Sequence, residues 1–368
     1  LWLSENGGSN QHFIQTADID ASLSSTINSG LGFEPIAFNA SVYNGTGYKI
    51  TNLFMNRPNT ASGGHTAGLF GLVDNGSIIK NVSVVNADIT GYQLVGVIIG
   101  ELKGDSYLLT SYATGVLESD GRQTGALVGN MRGGTVKNCY SNVTLTRFGN
   151  SYTMGTITGN NYGSDLIENC YSIGGGVQII AISHYTGGSA AIKNSFYLDT
   201  HTYTGSNWCN NCVESSETSK SETEMKSIST YIASGWDFVG ESNNGTEDIW
   251  MIDEAGVINS GYPYFNPDIY IVDTTIPVIT LLGDAAVTIE VGTTYSDAGA
   301  TASDNYDGDI TSSITTVNPV DINVVGVYTV TYNVSDTNNN DAVEVTRTVT
   351  VVDTTIPVIT LLGDAAVT

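Results

Sequence analysis

Basic residues are scarce in this chain. Twelve Lys and Arg stand against 37 Asp and Glu over 368 residues, a formal net charge of −25. A charge of that sign repels nucleic acid and anionic membrane surfaces, so neither is an expected partner. No apolar run approaches the roughly 20 residues of a membrane-spanning helix, and direct membrane insertion is not expected either. His-Glu-x-x-His is missing, and His12, His65, His184 and His201 stand isolated. The acids of residues 61–200 are scattered singly. Asp105, Glu118 and Asp120 come nearest to a cluster, in what read as inter-strand turns, whereas glycoside chemistry needs carboxylates converging on one face. Nothing pairs a nucleophile with a base, so the expectation is a protein that is not an enzyme. No signal peptide is visible, but Leu1 lies inside one motif and the last residues inside another, as expected of a piece of a longer polypeptide.

Glycine, by contrast, is plentiful at 42 residues, while only 13% of residues are charged. High Gly with Tyr, Thr, Ser and Asn in place of Lys and Glu describes an all-β extracellular protein better than a cytosolic enzyme. Four glycine-bracketed apolar clusters recur: Gly68–Gly71, Gly96–Gly100, Gly125–Gly129 and Gly155–Gly159. Their closing glycines, at 71, 100, 129 and 159, are spaced by 29, 29 and 30 residues. Each cluster is followed by a short apolar, polar, Asn pattern: Ile79-Lys80-Asn81, Val136-Lys137-Asn138, Ile167-Glu168-Asn169 and Ile192-Lys193-Asn194. The copy at Leu108-Leu109-Thr110 has lost its Asn, and a fifth cluster, Gln178–Ile182, has lost its glycines. Short runs rich in Val, Ile, Thr and Tyr between glycines are strands. A unit of this length cannot bury its own apolar face and must stack on its neighbours. The expected fold is all-β: a right-handed parallel β-helix, with Asn at equivalent corners.

Gly-Leu-Phe-Gly at 68–71 followed by Ile79-Lys80-Asn81-Val82 resembles the GLUG-motif repeats of bacterial surface proteins. Upstream, Phe13–Asp20, Glu34-Pro35-Ile36 and Tyr43–Leu53 resemble the lead-in to such repeats; downstream, Glu224-Met225-Lys226, Trp236-Asp237-Phe238, Trp250-Met251-Ile252 and Tyr262-Pro263-Tyr264 resemble their tail. The resemblance covers residues 10–266. It implies a secreted or cell-surface adhesin type of protein with a glycan or protein ligand outside the cell. GLUG repeats also accompany metallopeptidases, whose zinc motif is missing here.

The expected organisation is a lead-in cap with first coils over 1–60, regular coils over 61–200 and a C-terminal cap over 201–268. In that cap Ser221 and Glu224 have the spacing of a capping box. Met225, Ile228 and Ile232 then share a helical face, and Gly235 can end it, so one short helix is expected on the end of the stack. Asp273–Thr288 recurs unchanged as Asp353–Thr368. About seven alternating strands lie between, the pattern of an immunoglobulin-like β-sandwich over 269–352, with a second module beginning at 353–368. Asp304–Thr311, Gly326–Tyr332 and Val334-Ser335-Asp336 resemble the bacterial Ig-like modules of HYR-like or crystal-toxin type that occur in tandem.

Candidate sites follow from these residues. Between Asp273 and Val352 there are 11 acids and one base, Arg347. Asp304, Asp307 and Asp309 crowd one turn, Asp336 is the fourth candidate ligand, and Asp273, Asp297 and Asp341 could approach from strand ends. Oxygen ligands at this density suit calcium, which would stiffen an array of modules; turn-forming, solubilising acids are the other reading. Cys209 and Cys212 fit a local disulfide better than a redox or zinc site, since no βαβ context or fourth ligand accompanies them. Cys139 and Cys170 occupy equivalent places in adjacent coils, either stacked as small apolar groups or bonded rung to rung. The recurring aromatics, Tyr107 to Tyr197, read as coil filling or as a carbohydrate-stacking face. The expected function is non-catalytic adhesion or surface binding, with the β-helix displayed on Ig-like spacers; a polysaccharide-binding or polysaccharide-degrading β-helix and a passive stalk are the alternatives.

Overall fold

The computed structural model describes residues 11–59, 66–148, 154–176, 179–180, 182–199, 208–210, 214–270, 273, 275–305, 307–336, 340–360 and 362. The chain divides into two compact units, Leu1–Ile271 and Val272–Thr368.

Among the described residues the first unit is built on one large parallel sheet of 20 strands. Strands in its middle pair with the strand one repeat before and the strand one repeat after. Phe70 pairs with Ile99, Ile99 with Val128 and Val128 with Thr158, the spacing carried by the glycine clusters. The closing glycines explain that spacing. A Cβ on Gly100 would meet the carbonyl of Gly71, one on Gly129 the carbonyl of Gly100, and one on Gly159 the carbonyl of Gly129. Each glycine lets the next repeat approach to backbone contact, so no side chain fits at that corner.

In-register pairing turns single residues into columns. Ile79, Leu108, Val136, Ile167 and Ile192 align on successive strands and are all buried. Period 2 along a strand sends alternate side chains to opposite faces, so one register fixes which residues fill the interior. At the corner after this column Asn81, Thr110, Asn138, Asn169 and Asn194 share a left-handed backbone, φ +48° to +58°. Asn adopts that conformation more readily than other residues with a Cβ. The strands begin well upstream of the glycine clusters: His12–Ile14 pairs with Val42–Asn44, and that strand with Ile78–Lys80. Described residues expected to form part of a lead-in cap are therefore strands of the same ladders.

Tyr112, Tyr140 and Tyr171 form a second column, with ring centroids 4.6 and 4.9 Å apart and nearly parallel planes. The segment after Ser221 covers it. Trp236 lies against Phe196, Trp250 against Tyr171, and Phe265 against Tyr140 and Tyr112. Tyr270 ends beside Gly47, where a Cβ would strike its ring. This segment thus runs along the flank of the stack across successive repeats. The expectation of a single helix on the stack's end is corrected on both counts. The Ser221–Glu224 capping box forms, but it starts a helix of only Glu222–Met225. Ser227 is extended and separates it from Ile228–Ile232, whose Tyr231 is buried in the aromatic cluster together with Met225.

The second unit is an Ig-like arrangement of two sheets. One orders Val278–Leu281, Ala300–Asp304 and Gly308–Asp309, all antiparallel. The other orders Ala286–Glu290, Val345–Val352, Gly326–Asn333 and Thr315–Val317, with the first pair parallel and the rest antiparallel. Ile279 and Ala302 from one sheet meet Val330, Tyr332 and Val349 from the other in the core.

Candidate functional site

The ladder face carries polar rows as regular as its apolar columns. Glu101, Asn130 and Asn160 align on three successive strands, and Lys103, Arg132 and Tyr162 align beside them. A cleft of about 620 Å³ opens there, lined by Gln123, Asn130, Arg132, Asn160 and Tyr162 among others. Asn130 donates to Glu101 Oε1 at 3.1 Å, and the exposed Arg132 lies 3.7 Å from the same carboxylate. Tyr162 is 55% exposed. Beneath the cleft floor Asp165 is buried and accepts the backbone N–H groups of Gly133, Gly134 (2.7 Å) and Tyr162 (2.6 Å). Burial pushes its carboxyl up to about 6, against the pull of those three donors. Its oxygens hold the strand segments that present Gly133 and Tyr162, which is a positioning role.

A second polar cleft, about 410 Å³, lies along the asparagine corner, where Asn138, Asn169 and Asn194 face Asp237 and Asn244 of the flanking segment. Lys137 and Glu168, neighbours on adjacent strands, pair along its ladder wall at 2.7 Å. Trp236 Nε1 donates to the Asn194 carbonyl at 2.8 Å, so this cleft is a seam between ladder and flank.

The three acids nearest to a cluster in the sequence lie on strands of the ladder. Asp105 lies on the strand Ile99–Leu109, and Glu118 and Asp120 lie on Tyr112–Thr124, on strands where turns were expected. Among the described residues one set of three His, Cys, Asp or Glu could hold a metal ion: Asp273, Asp304 and Asp336, whose nearest oxygens all lie within 4.8 Å of one another. Two of the expected calcium ligands, Asp304 and Asp336, are in it; Asp307 and Asp309 are not. Asp307 donates its N–H to Asp304 Oδ1 at 3.1 Å, and Asp309 is exposed and accepts the Thr311 N–H at 3.0 Å. Hydrogen bonding from Thr311 holds the Asp309 carboxyl below its usual range.

Asp297 and Asp341 also turn elsewhere. Asp341 accepts from Ser335 at 2.6 Å. Asp297 pairs with Arg347 and accepts from Tyr295 at 2.9 Å and Tyr332 at 2.5 Å. Burial pushes the Asp297 carboxyl up, but hydrogen bonds from Tyr332, Tyr295 and Arg347 outweigh it and hold it below the usual range. Arg347 is 1% exposed and also donates to the carbonyls of Asp284, Leu282 and Gly299. Sequence reasoning singled out Arg347 only as the lone base of the module, and that isolation was the available signal.

Cys139 and Cys170 are free, buried thiols. Cys139 donates to the Lys137 carbonyl and Cys170 to the Glu168 carbonyl, at 3.2 and 3.3 Å. Burial pushes the Cys139 thiol well up, which removes it as a nucleophile. Cys212 lies outside the described residues, so the expected Cys209–Cys212 bond does too. Of the aromatics, Tyr140, Tyr171 and Phe196 fill the column under the flank, while Tyr107 and Tyr162 are exposed. Among the described residues no helix is long and apolar enough to cross a membrane.

Comparison with known proteins adds identity to one unit. Residues 279–351 match the family described as bacterial surface protein, Ig-like domain. The chain is 40% identical over 129 residues to halomucin of Haloquadratum walsbyi, covering 34% of this chain and 1% of that protein. It is 34% identical over 105 residues to a Gly-rich membrane protein of Evansella cellulosilytica, covering 27% and 11% respectively. The chain therefore spans only a small part of the curated relatives it matches. Among solved structures, a lipoprotein of Bacteroides thetaiotaomicron is 29% identical over 22% of this chain and 40% of its own, with a TM-score of 0.20. The CBM51-2 and INT domains of Clostridium perfringens ZmpB are 28% identical over 21% of this chain and 16% of their own, with a TM-score of 0.18. Scores that low leave both without bearing on the fold. The Ig-like match and the relatives fit a surface-associated protein, at the cell surface or outside the cell.

Proposed function

We propose that the parallel ladders of the first unit wind as a right-handed β-helix of GLUG type, and that this element binds an extracellular glycan without acting on it, as an adhesin does. The Ig-like unit serves as a spacer. The observation that carries this reading is the cleft across the Glu101–Asn130–Asn160 and Lys103–Arg132–Tyr162 rows. Amide and guanidinium groups suit sugar hydroxyls, and an exposed Tyr ring suits the apolar face of a pyranose. The acid beneath, Asp165, is engaged by three backbone donors, and Glu101 by Asn130 and Arg132, which favours binding over hydrolysis. Likeness to a Gly-rich membrane protein supports placement at a cell surface.

The test uses the whole chain on a panel of soluble polysaccharides, recording retention and release of new chain ends together. Retention without new ends is expected. Tyr162→Ala and Arg132→Ala should each weaken it about tenfold, roughly 1.4 kcal/mol. Release of new ends would overturn the non-catalytic reading, and absence of retention across the panel would overturn glycan binding.

A further inference from the structure

Three carboxylates in the second unit are placed as no set of solubilising acids would be. Asp273, Asp304 and Asp336 are 6%, 9% and 7% exposed, and their nearest oxygens lie within 4.8 Å of one another. Asp273 Oδ1 accepts the Thr275 N–H at 2.9 Å, whereas its Oδ2 is fully buried with no hydrogen-bond partner. A buried carboxylate oxygen without a donor is costly, and two further carboxylates beside it add repulsion. Compensation within the module is already committed. Arg347, the one base between Asp273 and Val352, is bound to Asp297 and to three main-chain carbonyls. Asn340 reaches the group, but from Nδ2 it bonds Asp336 Oδ2 (2.8 Å) and the Asp273 carbonyl (3.0 Å), leaving Asp273 Oδ2 unserved.

We propose that Asp273, Asp304 and Asp336 are the protein ligands of a calcium ion. The donor set is all hard oxygen, which selects Ca²⁺ or Mg²⁺ over softer metals. Oxygens around one Ca²⁺ stand up to about 5 Å apart, and the three carboxylates lie within that range. Water completes the shell.

The position of the three residues says what the ion does. Asp273 opens the module, Asp304 ends the strand Ala300–Asp304 of one sheet, and Asp336 follows the strand Gly326–Asn333 of the other. One ion therefore ties both sheets and the incoming chain at one end of the sandwich. Residues 273–352 contain no cysteine, so no inter-sheet disulfide can do this instead. The inference does not depend on the ladder binding any glycan.

Calorimetric titration of the whole chain with CaCl₂ after chelation tests it, together with thermal unfolding in CaCl₂ and in chelator. The parent should bind Ca²⁺ saturably and melt several degrees higher with it. Asp273→Asn should lose at least about tenfold in affinity, while Asp309→Asn binds as the parent does. A sign inversion separates a ligand from a structural acid. In chelator Asp273→Asn relieves repulsion and should melt above the parent; in CaCl₂ it should melt below. A parent indifferent to CaCl₂, or an Asp273→Asn variant displaced in the same direction by the same margin in both conditions, overturns the proposal.

Discussion

Arg347 shows how much one residue can organise when it has no substitute. Its guanidinium meets a carboxylate, the Tyr332 hydroxyl (3.0 Å) and three carbonyls, all inside the second unit. Removing one partner of a buried pair leaves the other charge uncompensated, at about 3–5 kcal/mol. Arg347→Met should therefore destabilise this unit by that amount in urea titration. A loss under about 1 kcal/mol would mean that Asp297 finds water instead. The sequence showed that Arg347 was alone among acids but not which acid it serves, because Asp297 lies 50 residues away in the chain. The same limit applies to the candidate cation site. Asp304 was legible in the crowded turn and Asp273 and Asp336 as acids at strand ends, whereas the crowding that put Asp307 and Asp309 beside Asp304 in the sequence does not bring them into the three-carboxylate group. Crowding along the chain signals a turn, and a ligand set is assembled across it.

At the level of the element, the regular part of the ladder was the most legible. The glycine spacing reappears as strand register because each closing glycine touches the one before it. The asparagine corner was legible for the same reason, and its exception is informative. Thr110 holds the same left-handed backbone, φ +48°, with a branched side chain that disfavours it. Thr110→Asn should raise stability by about 1 kcal/mol, read as a shift of the urea midpoint at constant slope. A destabilised variant would mean that the Thr side chain supplies a contact worth more than the strain. Less legible was the flank. The apolar spacing at Met225, Ile228 and Ile232 is the same whether or not Ser227 breaks the helix, so the break was not legible in it.

Over the whole molecule, charge is the dominant long-range property. With 37 acids against 12 bases, self-repulsion opposes the compact state, and mobile ions relieve it. At pH 7 in chelator, raising NaCl from about 0.01 to 0.15 M should raise the thermal midpoint, as the Debye length falls from about 30 to 8 Å. A midpoint that falls instead would show that attractive pairs such as Lys137–Glu168 outweigh the surplus of acids.

The aromatic flank also decides how the first unit meets force. Its contacts step backwards through the repeats, from Phe196 to Tyr171 to Tyr140 and Tyr112, and it ends with Tyr270 beside Gly47. Tension drawn through the chain beyond Tyr270 is thus delivered near the early strands, not the late ones. It must first strip Tyr270, then Phe265, Trp250 and Trp236, whose ring contacts overlap from one repeat to the next, before the last strand carries load. The flank behaves as a strap fastened at successive rungs, and a pull that would unwind a bare stack strand by strand is resisted one aromatic contact at a time.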